Sequence, residues 1–368
     1  MSFAVSGLRS RGYSARLRRP FVTSRRRVEA LTGVLVELEL ADGTIGHGSA
    51  AQTFAVTGES TESIRAVLHG PVTEALTTSG AERGLREHAD AVAASCAGNF
   101  SAKAAADVAL HDAWARTLGV PLVNALGGDV GNALHTDMTI SLDTPEAMAR
   151  AAIDAAGNGF HTLKVKLGSD QHSDLDRLKA VRDAVPAARF RLDANQGWSV
   201  KSAIRIIRAI EDAGIPLQLV EQPVPKDDVD GLAAVTAAVD VPIMADESLS
   251  SPRDAFEIAR RHGADLLNIK LAKCGGVGQA LAIADIAQAA GIKCMVGAML
   301  EPRTSIAAAA HVAAAHPAVT LVDLDSAEWV DEPELAGGYS LHGDEMRLCA
   351  EPGLGCGPED PESPERKE

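Results

Sequence analysis

The sequence predicts an α/β fold in which a closed parallel barrel follows an N-terminal α+β block. Three observations carry that reading. Short apolar runs recur eight times from residue 134 onward: DMTISL, HTLKVKL, FRLDAN, LQLVEQ, PIMADE, LLNIKL, KCMVGA and LVDLDS. Between consecutive runs lie amphipathic or Ala-rich stretches long enough for a helix of about three turns, and such alternation means parallel βα units. Several runs also carry a charged residue at or near the C-terminal end, which is where βα barrels assemble their active sites.

The N-terminal block mixes element types. LTGVLVELELADGTIGHGSA reads as a strand, an Asp42-Gly43 turn and a second strand. SAKAAADVALHDAWARTLG reads as a helix closed at Gly119, with Pro121 just beyond. Eight arginines, from Arg9 to Arg27, precede the first acid, Glu29. Such a start imitates an organelle transit peptide, yet it runs directly into the alternation Val34, Val36, Leu38, Leu40 and reads instead as part of the fold. Segment 51–63, AQTFAVTGESTES, has the small, polar character of a mobile lid.

GGVG at 275–278 reads as a tight βα turn, and GLGCG at 353–357 opens no βα unit and is no phosphate loop. His111 and His311, inside Ala-rich helices, read as packing residues. The end of the chain from 355, GCGPEDPESPERKE, reads as disordered.

Bulk properties narrow the function class. The 368 residues are 46% hydrophobic and 23% charged, ordinary values for a soluble globular protein. A net charge of -15 disfavours nucleic acid as a partner. No apolar run approaches the roughly 18 residues of a membrane span. Five scattered cysteines without a CxxC pair point to a reducing cytoplasm and away from a thiolate zinc site. The expected partner is a small molecule; the oligomeric state, a homo-oligomer included, is left open.

Numbering the runs as strands one to eight exposes a constellation. Asp193, Glu221 and Asp246 end strands three, four and five, and three converging carboxylates repel one another unless a cation joins them. An all-oxygen set suits a hard divalent ion such as Mg²⁺, which keeps positions open for water or substrate; N-capping and salt-bridge acids are the structural alternative. Lys166 on strand two and Lys270 on strand six face each other across the ring. Lys164 points the same way as Lys166 and, with the cation, should lower the Lys166 pKa toward that of a useful base.

This arrangement predicts a metal-held carboxylate substrate, an enediolate formed as the α-proton leaves, and two opposed bases that invert the α-carbon. Asp323 and Asp325, two apart on strand eight, should share a face opposite the metal arc and receive a free ammonium group. Thr139 and Ser141, near the end of strand one, read either as pocket-lining groups or as structural hydroxyls.

KVK (164–166), DANQGW (193–198), VEQP (220–223), ADES (245–248) and NIKLAKCGG (268–276) resemble the enolase superfamily in its muconate-lactonizing subgroup, and the resemblance covers nearly the whole chain. Lysine bases beside Mg²⁺ are a known pattern of that superfamily. The resemblance implies a modified TIM barrel, (β/α)7β, over 127–325 with an N-terminal α+β capping domain over 1–126. It also implies that the segment 326–354 packs back on the capping domain.

The D-x-D of strand eight is similar to that of the dipeptide epimerases. PFVTSRRR (20–27), VTGESTESI (56–64), NFSAKAAADVALHDAWA (99–115) and KCMVGAMLE (293–301) resemble bacterial epimerases of Ala-Glu dipeptides. The implied activity is Mg²⁺-dependent inversion of the C-terminal residue of a dipeptide, L-Ala-D/L-Glu, a murein-peptide unit. Arg26 would meet the side-chain carboxylate of that glutamate, and Ala298, in the strand-seven loop, would touch substrate. Relatives of the same architecture, the o-succinylbenzoate synthases, N-acylamino acid racemases and cycloisomerases, are the alternative; their chemistry needs no ammonium-binding acid pair.

Overall fold

A computed structural model describes residues 2–23, 26–78, 82–167, 171–330 and 335–357. The eight runs form the strands of one parallel sheet: Met138–Ile140, Thr162–Lys166, Arg189–Asp193, Leu217–Glu221, Ile243–Ala245, Leu266–Ile269, Lys293–Gly297 and Val319–Asp323. Each lies beside the next in chain order, and the sheet curls into a nearly closed barrel. Side chains join the two end strands: Leu324 N donates to Thr136 Oγ1 (2.8 Å) and Thr139 N to Asp325 Oδ2 (2.8 Å).

Local signals start the connecting helices. Thr144, Ser199 and Ser251 each cap a helix N-terminus through a side-chain oxygen, and Pro145 and Pro252 follow at the first helical position. Helix Val200–Asp212 buries Ala203, Ile206, Ile207 and Ile210, the i, i+3, i+4, i+7 stripe that seats a helix on a sheet. The GGVG turn is as tight as expected, with φ of +94° at Gly275 and +120° at Gly276.

The N-terminal domain is a three-stranded antiparallel sheet, Val5–Val22, Arg27–Leu40 and Ile45–Ala51, packed on helix Phe100–Leu118. The Arg-rich start thus supplies the first strand. The helix sits unusually close to the third strand because both surfaces are small. A Cβ on Gly46 or Gly48 would lie 2.0 Å from the carbonyl oxygens of Ala109 and Ala105 respectively.

The end of the chain is shared between the barrel and the N-terminal domain. The hairpin Tyr339–His342/Glu345–Leu348 pairs with Leu134–His135 beneath the barrel instead of packing on the N-terminal domain. Both flanks of the hairpin do reach that domain: Val330 bridges Leu17, Trp329 packs on Phe21, and Leu354 N donates to Asp112 Oδ1 (2.6 Å) on the long helix. Of the stretch expected to be disordered from 355, Cys356–Gly357 pairs with Ala336–Gly337; residues 358–368 lie outside the described residues. Among the described residues, no helix is long and apolar enough to cross a membrane.

His311 does more than pack. Its Nδ1 accepts from Val123 N (3.0 Å) and its Nε2 lies 3.4 Å from Leu354 O, so the neutral ring joins the barrel to both flanking segments. Burial pushes its pKa down to about 4. The unfolded chain, with histidine near the ordinary value of about 6.5, therefore binds the proton more readily, and stability falls as pH drops from that value toward 4. His311→Asn keeps an acceptor for Val123 N without a titrating ring. Thermal melts between pH 7 and 4.5 should lose less stability in the variant than in the wild type, by on the order of 2 kcal/mol.

Candidate active site

Strand register builds the site. Lys166, Asp193 and Glu221 are direct cross-strand partners on strands two, three and four. Asp246 and Lys270 follow strands five and six by one residue. Two residues earlier, the same inward face carries Lys164, Arg191, Leu219, Met244 and Asn268, the layer beneath. Leu219, Met244 and Met295 pack together as an apolar floor. Arg191 crosses beside it, with Nη1 2.7 Å from Asp137 Oδ2 and from Val322 O.

The rim is an ion network. Lys164 Nζ lies 2.6 Å from Glu221 Oε2, 2.7 Å from Asp323 Oδ2 and 3.3 Å from Asp193 Oδ2. Lys166 Nζ lies 2.5 Å from Asp193 Oδ2. Lys270 Nζ lies 2.9 Å from Asp246 Oδ2 and 3.7 Å from Glu221 Oε1, and Lys273 Nζ lies 2.5 Å from Asp246 Oδ1. Strand two and the strand-six segment thus supply four lysines to the three acids of strands three to five. Among the described residues, no three His, Cys, Asp or Glu side chains already stand together as a metal ligand set.

Charge balance at the rim is uneven. Burial, with Asp193 beside it, pushes Glu221 up to about 7 despite Lys164. Asp246 goes the other way: burial raises it, but Lys270 and Lys273 hold it well below the carboxylate range. Burial works against the charge on Lys164, yet Asp323, Glu221 and Asp193 hold its pKa well above the usual lysine value. Lys270 is likewise raised, with Asp246 and Glu221 overcoming burial.

A cleft opens above this ring, lined by Phe21, Arg26, Lys166, Asp246, Lys270 and Ala298 among others. Arg26 comes from the turn between the first two N-terminal strands, where Thr23 N donates to Arg26 O (2.9 Å). That turn is tied to the barrel mouth, because Val22 N donates to Ser141 Oγ (3.2 Å) and Leu142 N to Val22 O (3.0 Å). Ser141 is thus a structural hydroxyl; Arg25 lies outside the described residues. Ala298 is held at the rim through its N–H on Asp323 O (3.0 Å). Segment 51–63 forms a compact loop pinned by Glu59, which accepts from Ser101 N and Ala102 N, and it presents Ala55 and Val56 to the cleft.

Strand eight differs from its sequence pattern. It ends at Asp323, and Leu324 (φ -127°, ψ 34°) turns the chain into the 3₁₀ segment Asp325–Trp329. Asp323 and Asp325 therefore do not share a strand face. Asp323 Oδ2 holds Lys164, whereas Asp325 Oδ2 accepts from Thr139 N and from Trp329 Nε1 (3.1 Å). Thr139 is buried and takes part in the barrel seam through its backbone.

Two family models span this architecture: the mandelate racemase / muconate lactonizing enzyme N-terminal domain over residues 10–127 and the enolase C-terminal domain-like model over 146–362. This chain belongs to the enolase superfamily. Its relatives in the superfamily include the L-Ala-D/L-Glu epimerase of Bacillus subtilis, 42% identical over 92% of this chain and 93% of that protein. The solved substrate-liganded structure of that epimerase superposes with a TM-score of 0.94, at 40% identity over 96% of this chain and 99% of that one. A dipeptide epimerase of Enterococcus faecalis, solved with Mg and the dipeptide L-Leu-L-Tyr, superposes with a TM-score of 0.90 at 34% identity over 97% of this chain and 99% of that one. The chain is an isomerase of the epimerase and racemase kind.

Two polar groups of this superfamily member went unnoticed in the sequence. Asn268 stands two before Lys270 on strand six and donates Nδ2 to Glu221 Oε1 (2.9 Å); strand alternation points to it. Lys273 had no such signal, because its reach depends on the one-turn helix Leu271–Cys274. Besides Asp246 Oδ1, Lys273 Nζ contacts Asp246 O. Lys273→Met leaves a buried carboxylate without that partner and should cost about 3–5 kcal/mol in urea unfolding, whereas Lys201→Met, on an exposed helix turn, should change little.

Proposed function

We propose that this protein is a Mg²⁺-dependent dipeptide epimerase that inverts the α-carbon of the C-terminal residue, with L-Ala-D/L-Glu as substrate. The observation that carries the reading is the placement of Lys166 and Lys270 on opposed strands of one cleft, with a carboxylate arc between them. Names and bound ligands of the relatives, an L-Ala-D/L-Glu epimerase and an epimerase holding Mg and a dipeptide, support it.

Asp193, Glu221 and Asp246 would hold the ion. They are buried, all-oxygen donors on adjacent strands, a donor set suited to a hard divalent cation. Bound there, Mg²⁺ supplies Lewis-acid stabilisation of the charge that develops on a substrate carboxylate as the α-proton leaves. Those carboxylates are also the partners of Lys166 and Lys270. Asp193 and Asp246 thereby orient the Lys166 and Lys270 amines at the cleft.

One lysine then takes the α-proton from one face and the other returns a proton to the opposite face. Asp323, with Asp325 behind it, receives the substrate ammonium; Arg26 in the cleft favours an acidic C-terminal side chain.

Incubation with Mg²⁺ and a dipeptide library in D₂O should place deuterium at the α-carbon of the C-terminal residue, read by mass. Exchange of o-succinylbenzoate or N-acylamino acids in place of any dipeptide would overturn the assignment. Lys166→Ala and Lys270→Ala should each slow epimerisation by about 10²–10⁴-fold, the usual contribution of a general acid or base. Asp323→Asn should lower kcat/KM for free dipeptides by about 10–100-fold, a charge-assisted contact's worth, and should do so less for an N-acetylated dipeptide.

A further inference from the structure

The loops after strands three, four and five meet at a single residue, Gln222. It follows Glu221 directly and is fully buried. Its backbone is left-handed, φ +36°, a conformation that costs a non-glycine residue about 1–2 kcal/mol. Something must over-determine it, and the side-chain amide is the candidate. Oε1 accepts from Asp246 N (2.9 Å) and Ser248 N (3.2 Å), while Nε2 donates to Val224 O (3.0 Å) and Ser248 Oγ (2.8 Å). Two N–H groups on one side and two acceptors on the other fill all four hydrogen-bonding positions of the amide and admit only one orientation.

The Gln222 backbone extends the junction. Its N–H donates to Met244 O (2.9 Å), and its carbonyl accepts from Gln196 N (2.8 Å), in the loop that follows Asp193. One residue therefore binds to every loop that carries or follows Asp193, Glu221 and Asp246. Ser248 extends the contact, donating its hydroxyl to Lys226 O (2.8 Å).

We propose that Gln222 is a positioning residue that locks the three rim carboxylates in a single register for cation binding. This rests on the reading of those carboxylates as the Mg²⁺ ligands. A clamp that served only folding would lower stability without altering the ion's affinity for folded protein. A clamp that sets carboxylate positions alters that affinity, because ligand spacing is fixed by the groups behind the ligands.

The test is Mg²⁺ titration by calorimetry on wild type, Gln222→Met and Ser248→Ala, alongside thermal melts, at a temperature where each is folded. Gln222→Met should bind Mg²⁺ at least about tenfold more weakly, and Ser248→Ala, which removes one acceptor, about two- to threefold more weakly. A folded Gln222→Met with wild-type affinity and only a lower melting temperature would overturn the proposal. If Gln222→Met does not fold, unchanged affinity in Ser248→Ala overturns it equally. Wild type that takes up no Mg²⁺ would instead sink the metal reading, and the positioning role with it.

Discussion

The ammonium of Lys164, buried among Glu221, Asp323 and Asp193, is the contact on which the rest of the structure depends. Only 1% of that residue is exposed, and an unpaired charge so placed would cost several kcal/mol. Its partners stand on strands three, four and eight, so the pairing acts across the barrel axis. Ring closure and rim charge are two aspects of one set of contacts. The apolar floor of Leu219, Met244 and Met295 keeps water from below and strengthens each ion contact above it.

The N-terminal domain completes the cleft by reaching over this rim at several points. The turn that carries Arg26 is bonded to the end of strand one through Val22. On the long helix, Asp107 Oδ2 accepts from Val277 N (2.6 Å), capping the helix that follows Lys270 and Lys273. Asp112 of the same helix accepts from His47 N (2.7 Å) and from Leu354 N, joining sheet, helix and chain end. These bonds between units give the cleft one wall from each domain, and the long helix joins the two cores, with Val108 and Ala115 in that of the barrel and Trp114 packed on both.

How much of this was legible follows from the range of each signal. The eight strands were readable because burial on both faces makes each a short apolar run bounded by helix signals. Lys166, Lys270, Asp193, Glu221 and Asp246 were readable because they stand at strand ends, where chain order fixes their place in the ring. Asp325 was placed wrongly by alternation because Leu324 ends the strand, which no local residue type announces. The pairing of Lys164 with Glu221 and Asp323 went unread because it joins non-adjacent strands that only barrel closure brings together. The hairpin beneath the barrel was missed for the same reason, its pairing partner lying more than 200 positions earlier at Leu134–His135.

Backbone strain marks the same region independently of charge. Among the described residues, five non-glycine positions have positive φ, and three of them, Asn195, Gln196 and Gln222, lie in the loops just after Asp193 and Glu221. Left-handed backbone at such residues is unfavourable and persists only where surrounding bonds over-determine it. Here the bonds are visible: Asn195 N donates to Asp193 Oδ1 (2.9 Å), Gln196 N to Gln222 O (2.8 Å), and the Gln222 amide to the strand-five loop. A chain selected for stability alone would place glycine at such turns, as it does at Gly275 and Gly276 after strand six. Side chains were kept where glycine would be easier, and in each case the strained residue or its backbone bonds to a carboxylate or to its loop. The strain therefore measures how tightly the fold must hold those acids, and it concentrates where local preference yields to the site.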